Sequence, residues 1–297
     1  MCKKIKQGLA AGLIALAPAL TGCLLSHTRI IPKARRPDIV MSASLDTLAL
    51  QLAKRFEGID TFNASVEMSR ITGGPMTGKE TRSVNFKGYI LMRKPQYLRV
   101  IGLVPVLGSQ AFDMVSDGEN FKLLIPYYNK AIVGRNSSTT RSENSLYNLR
   151  PDMFFDSMFI QGPEQNQIIT MTTDIRIVES GKKKQDRIIE PAYALQILNK
   201  PDGQTARTVR VIHISSSDLL PYQQDIYDKD GQVVTKAYYS NYQAYGNIPF
   251  PTNIRIERPR DGFSLTVTIT KLTLNGHMDD DQFELVIPAN IPVETLK

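Results

Sequence analysis

Two spacings of apolar residues divide the chain. From Leu45 the side chains Leu45, Leu48, Ala49, Leu52 and Phe56 recur every three or four positions, which is the period of one helix face. Ser44 stands where an N-cap belongs, Lys54 and Arg55 fall in the last turn and Gly58 closes the segment, so a helix is predicted there. From Phe62 onward the period drops to two. "TFNASVEMSRI", "RSVNFKGYILMRKP", "QYLRVIGLVP", "QAFDMVSDG" and "NFKLLIPYYNKAIVG" read as strands, punctuated by Gly73-Gly74-Pro75 and Asp117-Gly118. A second helical stretch, rich in Met and Phe, runs from Ser142 to Gln161 and is interrupted or restarted at Pro151. Strands resume at "NQIITMTTDIRIVES" and continue to "GFSLTVTITKLTLN", with turns at Asp202-Gly203, Asp230-Gly231 and Asp261-Gly262.

This pattern predicts a mainly β, α+β fold of roughly ten to twelve antiparallel strands with two helical regions. No long Pro/Ser-rich or charged linker separates the strands, so residues 41–297 are expected to form one domain. One face of such a sheet can be solvated, but the other must be covered. Two helices are too few to fill the concave side of a strongly curved sheet of that width. An apolar hollow between sheet and helices is therefore expected, and hollows of that kind take apolar ligands.

The N-terminus carries a different signal. "MCKKIK" is a basic start, "GLAAGLIALAPAL" is apolar but short for a bilayer span, and "LTGC" follows. Leu20-Thr21-Gly22-Cys23 resembles a bacterial lipobox. The resemblance implies a signal peptide over residues 1–22, a lipidated Cys23, and acyl chains that hold the chain on a membrane. Leu24, rather than Asp, follows that Cys, which by the same resemblance favours the outer membrane and a periplasm-facing body. Residues 23–40 have two prolines, a basic cluster and no period, and read as a flexible tether. As a coil it spans about 20 to 25 Å, and fully extended it reaches about 60 Å. Cys2 leaves with the signal, so no thiol remains for a disulfide or a metal. The net charge of +7 loses Lys3, Lys4 and Lys6 on cleavage, leaving 7 − 3 = +4, too mild to imply nucleic acid.

Chemistry for catalysis is not visible. The histidines His27, His213 and His277 are scattered, and there is no HExxH, G-x-S-x-G, Walker loop or dinucleotide fingerprint. "GKKKQD" (residues 181–186) reads as a solvated hairpin tip and "MDDD" (residues 278–281) as a turn, since it lacks the alternating ligands of a calcium loop. No enzyme, cofactor or metal is expected.

Three stretches resemble the LolA/LolB family of lipoprotein-sorting half-barrels. They are "FKGYILMRKPQYLRV" (residues 86–100), "VSDGENFKLLIPYYNKAIVG" (residues 115–134) and "LTLNGHMDDDQFELVIPANI" (residues 272–291). The likeness spans most of the chain from Leu45. It implies an unclosed antiparallel β-barrel whose helices cover the concave face, with a hydrophobic cavity for the acyl chains of lipoproteins or lipids. It also implies a role in outer-membrane lipoprotein localisation, a monomer, and a periplasmic lipoprotein carrier as partner. The family's exposed aliphatic residue on a Pro-Leu-Gly hairpin maps to Leu107, with Val106 beside it, in Pro105-Val106-Leu107-Gly108-Ser109. The family's lid-latching Arg before the strand Pro maps to Lys94, preceded by Arg93; a Lys lacks the planar fork of Arg, which departs from the carrier pattern. The candidates for the cavity wall are Met92, Val100, Phe112, Met114, Leu123, Met153, Phe154 and Met158, soft or aromatic side chains that suit flexible ligands. A lipid-anchored sensor or scaffold reusing the same fold is the alternative reading.

Overall fold

The computed structural model describes residues 34–74, 78–137, 150–179, 187–199 and 204–296. Helix α1 (Leu45–Glu57) begins where the sequence places it: Ser44 Oγ accepts the Thr47 N–H at 3.2 Å, and the Gly58 N–H returns to Lys54 O at 2.9 Å. Strands β1 (Thr61–Gly74), β2 (Lys79–Arg82), β3 (Phe86–Arg93), β4 (Tyr97–Leu103), β5 (Gln110–Ser116), β6 (Asn120–Ile125) and β7 (Lys130–Arg135) precede helix α2 (Pro151–Met158). Then follow β8 (Gln167–Glu179), β9 (Arg187–Asn199), β10 (Arg207–Ser215), β11 (Pro221–Tyr227), β12 (Val233–Tyr245), β13 (Ile248–Arg258), β14 (Phe263–Leu274) and β15 (Val293–Leu296).

All fifteen strands belong to one unclosed sheet in the order β15-β7-β6-β5-β4-β3-β1-β14-β13-β12-β11-β10-β9-β8, with β2 added to β1. Neighbours from β7 to β9 are antiparallel, and β15 joins β7 in parallel. The strand count exceeds the ten to twelve expected, for two reasons. "NFKLLIPYYNKAIVG" is a hairpin rather than one strand, since a 3-10 turn at Pro126–Tyr128 ends in Asn129 at φ 47° and reverses the chain. Strands β2 ("KETR") and β15 ("VETL") are four residues long, too short to show a period.

The chain divides into two compact units. In the smaller, Arg35 bridges Ile188 in parallel: the Arg35 N–H donates to Arg187 O at 2.8 Å, and the Ile189 N–H to Arg35 O at 2.9 Å. The larger, Pro37–Arg176 with Glu190–Lys297, holds both helices and the core. Near its start, the Met41 N–H donates to Ser216 O at 2.8 Å.

Register puts the core of the larger unit on one face of its sheet. Cross-strand partners share a face, and Met92–Phe62, Ile90–Ala64, Ile90–Val100, Val100–Met114, Met114–Leu123 and Leu123–Ile132 are such partners, all buried. The same face continues through Leu265, Ile256, Ala237, Gln224, Ile212 and Leu195. Leu48 and Leu52 of α1 pack on Leu195, Ile197, Ile212 and Ile214, while Met153, Phe154, Phe155 and Met158 of α2 join the larger cluster. Helix α2 lies against β5, β12 and β13 at once. Six strand spacings of about 4.8 Å separate β5 from β12 along the sheet, whereas an eight-residue helix is about 12 Å long. The sheet therefore bends around it.

The opposite face is covered locally by the C-terminal segment, where Leu285, Ile287 and Ile291 pack on Val115, Leu124 and Ala131. Buried Asp113 takes a forked pair from Arg99, Nε at 3.1 Å and Nη2 at 2.8 Å, and Arg99 also donates to Gln282 O at 3.0 Å. The "MDDD" turn leads into a 3-10 helix at Asp280–Phe283.

Candidate functional site

The site begins with two glycines. Gly88 of β3 and Gly102 of β4 face each other across the strand pair, in the row that would otherwise carry side chains into the core. A Cβ on Gly102 would stand 2.3 Å from Phe112 Cε1, and one on Gly88 would stand 2.5 Å from Met68 Cε and 2.3 Å from Ile101 O. The Phe112 ring thus lies across bare backbone, and Met68 folds onto its neighbour. What these side chains do not fill is a cavity of about 300 Å³. Met68, Phe112, Phe154, Phe263 and Leu265 form its buried wall; Leu103, Val104, Pro105, Ser83, Val84 and Arg70 stand toward its edge. That volume falls at the lower end of the roughly 300–1,000 Å³ range of ligand pockets.

The β4–β5 turn forms part of that edge. Three backbone bonds close it: the Val104 N–H to Ser109 O at 2.8 Å, the Leu107 N–H to Pro105 O at 2.8 Å and the Gly108 N–H to Val104 O at 3.0 Å. Val106 sits at φ 70°, a region that β-branched residues avoid. The outcome is a fixed loop with both aliphatic side chains in solvent, Val106 fully exposed and Leu107 78% exposed. Val84, beside the same opening, is 74% exposed.

Of the residues expected in the cavity wall, Phe112 and Phe154 line it. Met92, Val100, Met114, Leu123 and Met153 are packed in the core, none more than 2% exposed, and Met158 borders a separate void of about 40 Å³ with Leu52, Phe56, Phe159 and Phe250. Met68, Phe263 and Leu265 line the cavity without having been singled out. The signal for Met68 was present in the Phe62, Ala64, Val66, Met68 alternation; for Phe263 and Leu265 it lay in a pairing of β14 with β1 that spans nearly the whole chain.

The two residues before Pro95 point to opposite faces. Lys94 Nζ donates to Phe56 O, in the last turn of α1, and stands 3.9 Å from the centroid of the Phe56 ring. Burial lowers its ammonium pKa, against the pull of Asp60 and Glu57. Arg93 instead holds the C-terminal segment, through Asp280 at 2.6 Å, Met278 O at 3.1 Å and the Phe283 ring at 4.9 Å.

Helix α2 is fixed at its C-terminal end by side chains that meet its free carbonyls. Gln224 Nε2 donates to Asp156 O at 2.8 Å, Tyr239 Oη to Ser157 O at 2.9 Å, and Arg210 Nη1 to Gln161 O at 3.1 Å. Burial pushes the Asp156 carboxyl up to about 6, opposed by Arg210 at 4.0 Å. Ser157 Oγ, Arg210 Nε and Gln224 Oε1 are buried there without a hydrogen-bond partner.

His213 lies between Asp225, 3.5 Å from Nε2, and Asp174, 3.9 Å from Nδ1, on the face away from the core. Among the described residues no group of His, Cys, Asp and Glu side chains is arranged to hold a metal, and no helix is long and apolar enough to cross a membrane. Cys23, His27, most of the tether and the "GKKKQD" run lie outside the described residues.

With this geometry in hand, comparison with solved structures is informative. A DUF1329 family protein from Desulfovibrio piger superposes with a TM-score of 0.50 at 18% identity, over 80% of this chain and 94% of that one. The two share a fold. A LolA superfamily protein from Nitrosomonas europaea (TM-score 0.49, 16% identity, 80% and 97% covered) and an outer membrane lipoprotein-sorting protein domain from Vibrio parahaemolyticus (0.47, 14%, 80% and 94%) are also similar to it. A family model described as an uncharacterized protein matches residues 173–286, less than half of the chain. No curated protein matches.

Proposed function

We propose that this chain is a lipid-anchored, periplasm-facing protein that shelters acyl chains of lipoproteins or lipids and serves lipoprotein localisation at the outer membrane. The observation that carries the reading is the apolar cavity of about 300 Å³ with an exposed aliphatic loop at its edge. Each CH₂ moved out of water is worth about 0.8 kcal/mol, so an acyl chain crossing the periplasm gains from such a container without any covalent step. In this reading Cys23 bears the anchor, α1 and α2 cover the concave face of a half-barrel, Lys94 latches α1, and Leu107 with Val106 hands the chain over to a membrane. The protein acts as a monomer, receives cargo from a periplasmic carrier, and needs neither cofactor nor catalysis.

A second reading is favoured by one observation: Met92, Val100, Met114 and Leu123 are 0% exposed, so most of the interior is already full. A lipid-anchored sensor or scaffold would have such a core. Mass spectrometry of the natively purified protein separates the two, the first requiring both an acylated Cys23 and a copurifying lipid. Leu107→Glu is expected to abolish lipoprotein delivery while leaving lipid binding intact. Delivery at the unaltered rate, or the absence of any bound lipid, removes the transport reading.

A further inference from the structure

The cavity mouth lies at one end of four consecutive strands, and a second exposed tip stands at that end. Val84 precedes β3, the β4–β5 loop carries Val106 and Leu107, and the β6–β7 turn carries Tyr127, 83% exposed. Leu103 pairs with Gln110 and Leu124 with Asp113, so the turn comes level with the start of the loop, against β5, and Val106 and Leu107 project past it. Turn and loop are two strand spacings apart, about 10 Å. Like the loop, the turn is fixed: Pro126 opens it, Asn129 at φ 47° closes it with its N–H on Pro126 O at 2.9 Å, and the Tyr127 ring packs edge to face on Tyr128 at 5.2 Å.

None of residues 83–85, 104–110 and 126–129 is charged, in a chain with 22% charged residues, so a partner recognised through ion pairs has nothing to meet here. The exposed groups project singly from three segments. A protein partner would have to match each projection, whereas a fluid bilayer accommodates them without matching. Aliphatic side chains stand farthest out, and behind them stands an amphipathic ring of the kind that concentrates at membrane–water interfaces. We propose that the β6–β7 turn is a second membrane contact: Tyr127 seats in the headgroup layer of a phospholipid bilayer while Val106 and Leu107 enter below it, so that the cavity mouth is held against the membrane. This inference rests on the reading in which Leu107 meets a membrane, and adds the residue that sets how the body stands there. A single contact lets the body pivot; a second one, about 10 Å away, holds the mouth down.

The chain contains no tryptophan, so a single introduced indole reports its own position. Three variants of the full chain, Leu107→Trp, Tyr127→Trp and His277→Trp, are bound to vesicles of phosphatidylethanolamine and phosphatidylglycerol in equal parts, with or without bromine on the acyl chains. Emission of the vesicle-bound fraction is then read. All three positions are exposed, but His277 lies beyond the end of β14, at the other end of the strands. The Leu107 and Tyr127 probes should shift to the blue and lose emission on brominated vesicles, and the His277 probe should do neither. Bromine at a shallow acyl position should quench the Tyr127 probe more than bromine near the chain end, because interfacial groups reach only about 5–10 Å in. Tyr127→Ser in the Leu107→Trp chain should lower the ratio of quenched to unquenched protein about three- to tenfold, the effect of half-burying one large side chain. A responding Leu107 probe with a silent Tyr127 probe, or a ratio that Tyr127→Ser leaves unchanged, overturns the proposal and leaves the delivery reading standing. Silence of both probes removes both. A His277 probe that responds like the others shows unoriented adsorption and overturns the proposal, as does a Tyr127 probe that shifts in lipid-free periplasmic extract but not on vesicles, which would make the turn a protein-docking site.

Discussion

Helices α1 and α2 pack on the same face of the sheet, yet one seals what it covers and the other leaves a gap. Under α1, strands β9 and β10 present Leu195, Ile197, Ile212 and Ile214, large aliphatic side chains that meet Leu48 and Leu52 and leave only the void of about 40 Å³ beside Leu52 and Phe56. Beside the cavity, strands β3 and β4 present Gly88 and Gly102, and the Met68 and Phe112 side chains lie over them. The docking differs too. Helix α1 is held by aliphatic packing, with Lys94 donating to Phe56 O, Arg55 Nη2 to Leu219 O at 3.3 Å and Asn275 Nδ2 to the C-cap Gly58 O at 2.8 Å, whereas α2 is held at its C-terminal end by polar groups of β10–β12, with three buried polar atoms unpartnered nearby. The hollow thus adjoins two inward positions that carry no side chain and over which Met68 and Phe112 fold.

Four substitutions can break or sharpen that contrast. Leu52→Ala, in the sealed region, should cost about 2–5 kcal/mol by chemical denaturation while leaving dye uptake by the folded protein unchanged. Gly102→Val, beside the hollow, should cost about 1–3 kcal/mol by forcing the Phe112 ring into the cavity, and should abolish Nile red binding. If Gly102→Val leaves uptake intact, the cavity is not the site.

Asp156→Asn tests the polar docking of α2 through pH. The carboxyl pKa is raised to about 6 in the folded chain from an ordinary value near 3.8, so the folded state holds the proton more tightly. Its contribution to stability is therefore greatest below the unfolded pKa, declines as pH rises through that window and stays low above about 6. The Asn variant should flatten this part of the Tm profile between pH 4 and 7, scanned in steps of about half a unit. An unchanged slope would show that Asp156 is not the group responsible. The smallest effect belongs to Lys94→Met, which removes a cation from the α1 C-terminus and should cost about 0.3–1 kcal/mol. That loss should appear in urea titrations with the Phe56 region as reporter.

Much of the fold was legible because local chemistry and tertiary packing agree. Ser44 and Gly58 bracket α1 in sequence and in space, and thirteen of the fifteen strands lie in segments that read as strands. Strands β2 and β15 escaped because four residues are too few to show a period; their strand geometry comes from pairing with β1 and β7. The site was harder to read. Leu107 drew notice as an aliphatic residue among turn formers, a purely local anomaly. The cavity wall depends on which residues meet across β1–β14 and β3–β4, and on a glycine pair whose importance is visible only once Phe112 is placed over it. Met92 and Phe112 have similar apolar character; only register decides that the first is packed on all sides and the second has space beside it.

The hydrogen bond at Met41 has a mechanical consequence. Ser216, which receives it, belongs to the β10–β11 turn, and the strand registers carry that turn to the rim opposite the β4–β5 loop. The Met41–Ser216 bond therefore ties the first stretch of the larger unit to the end of its sheet remote from the cavity mouth.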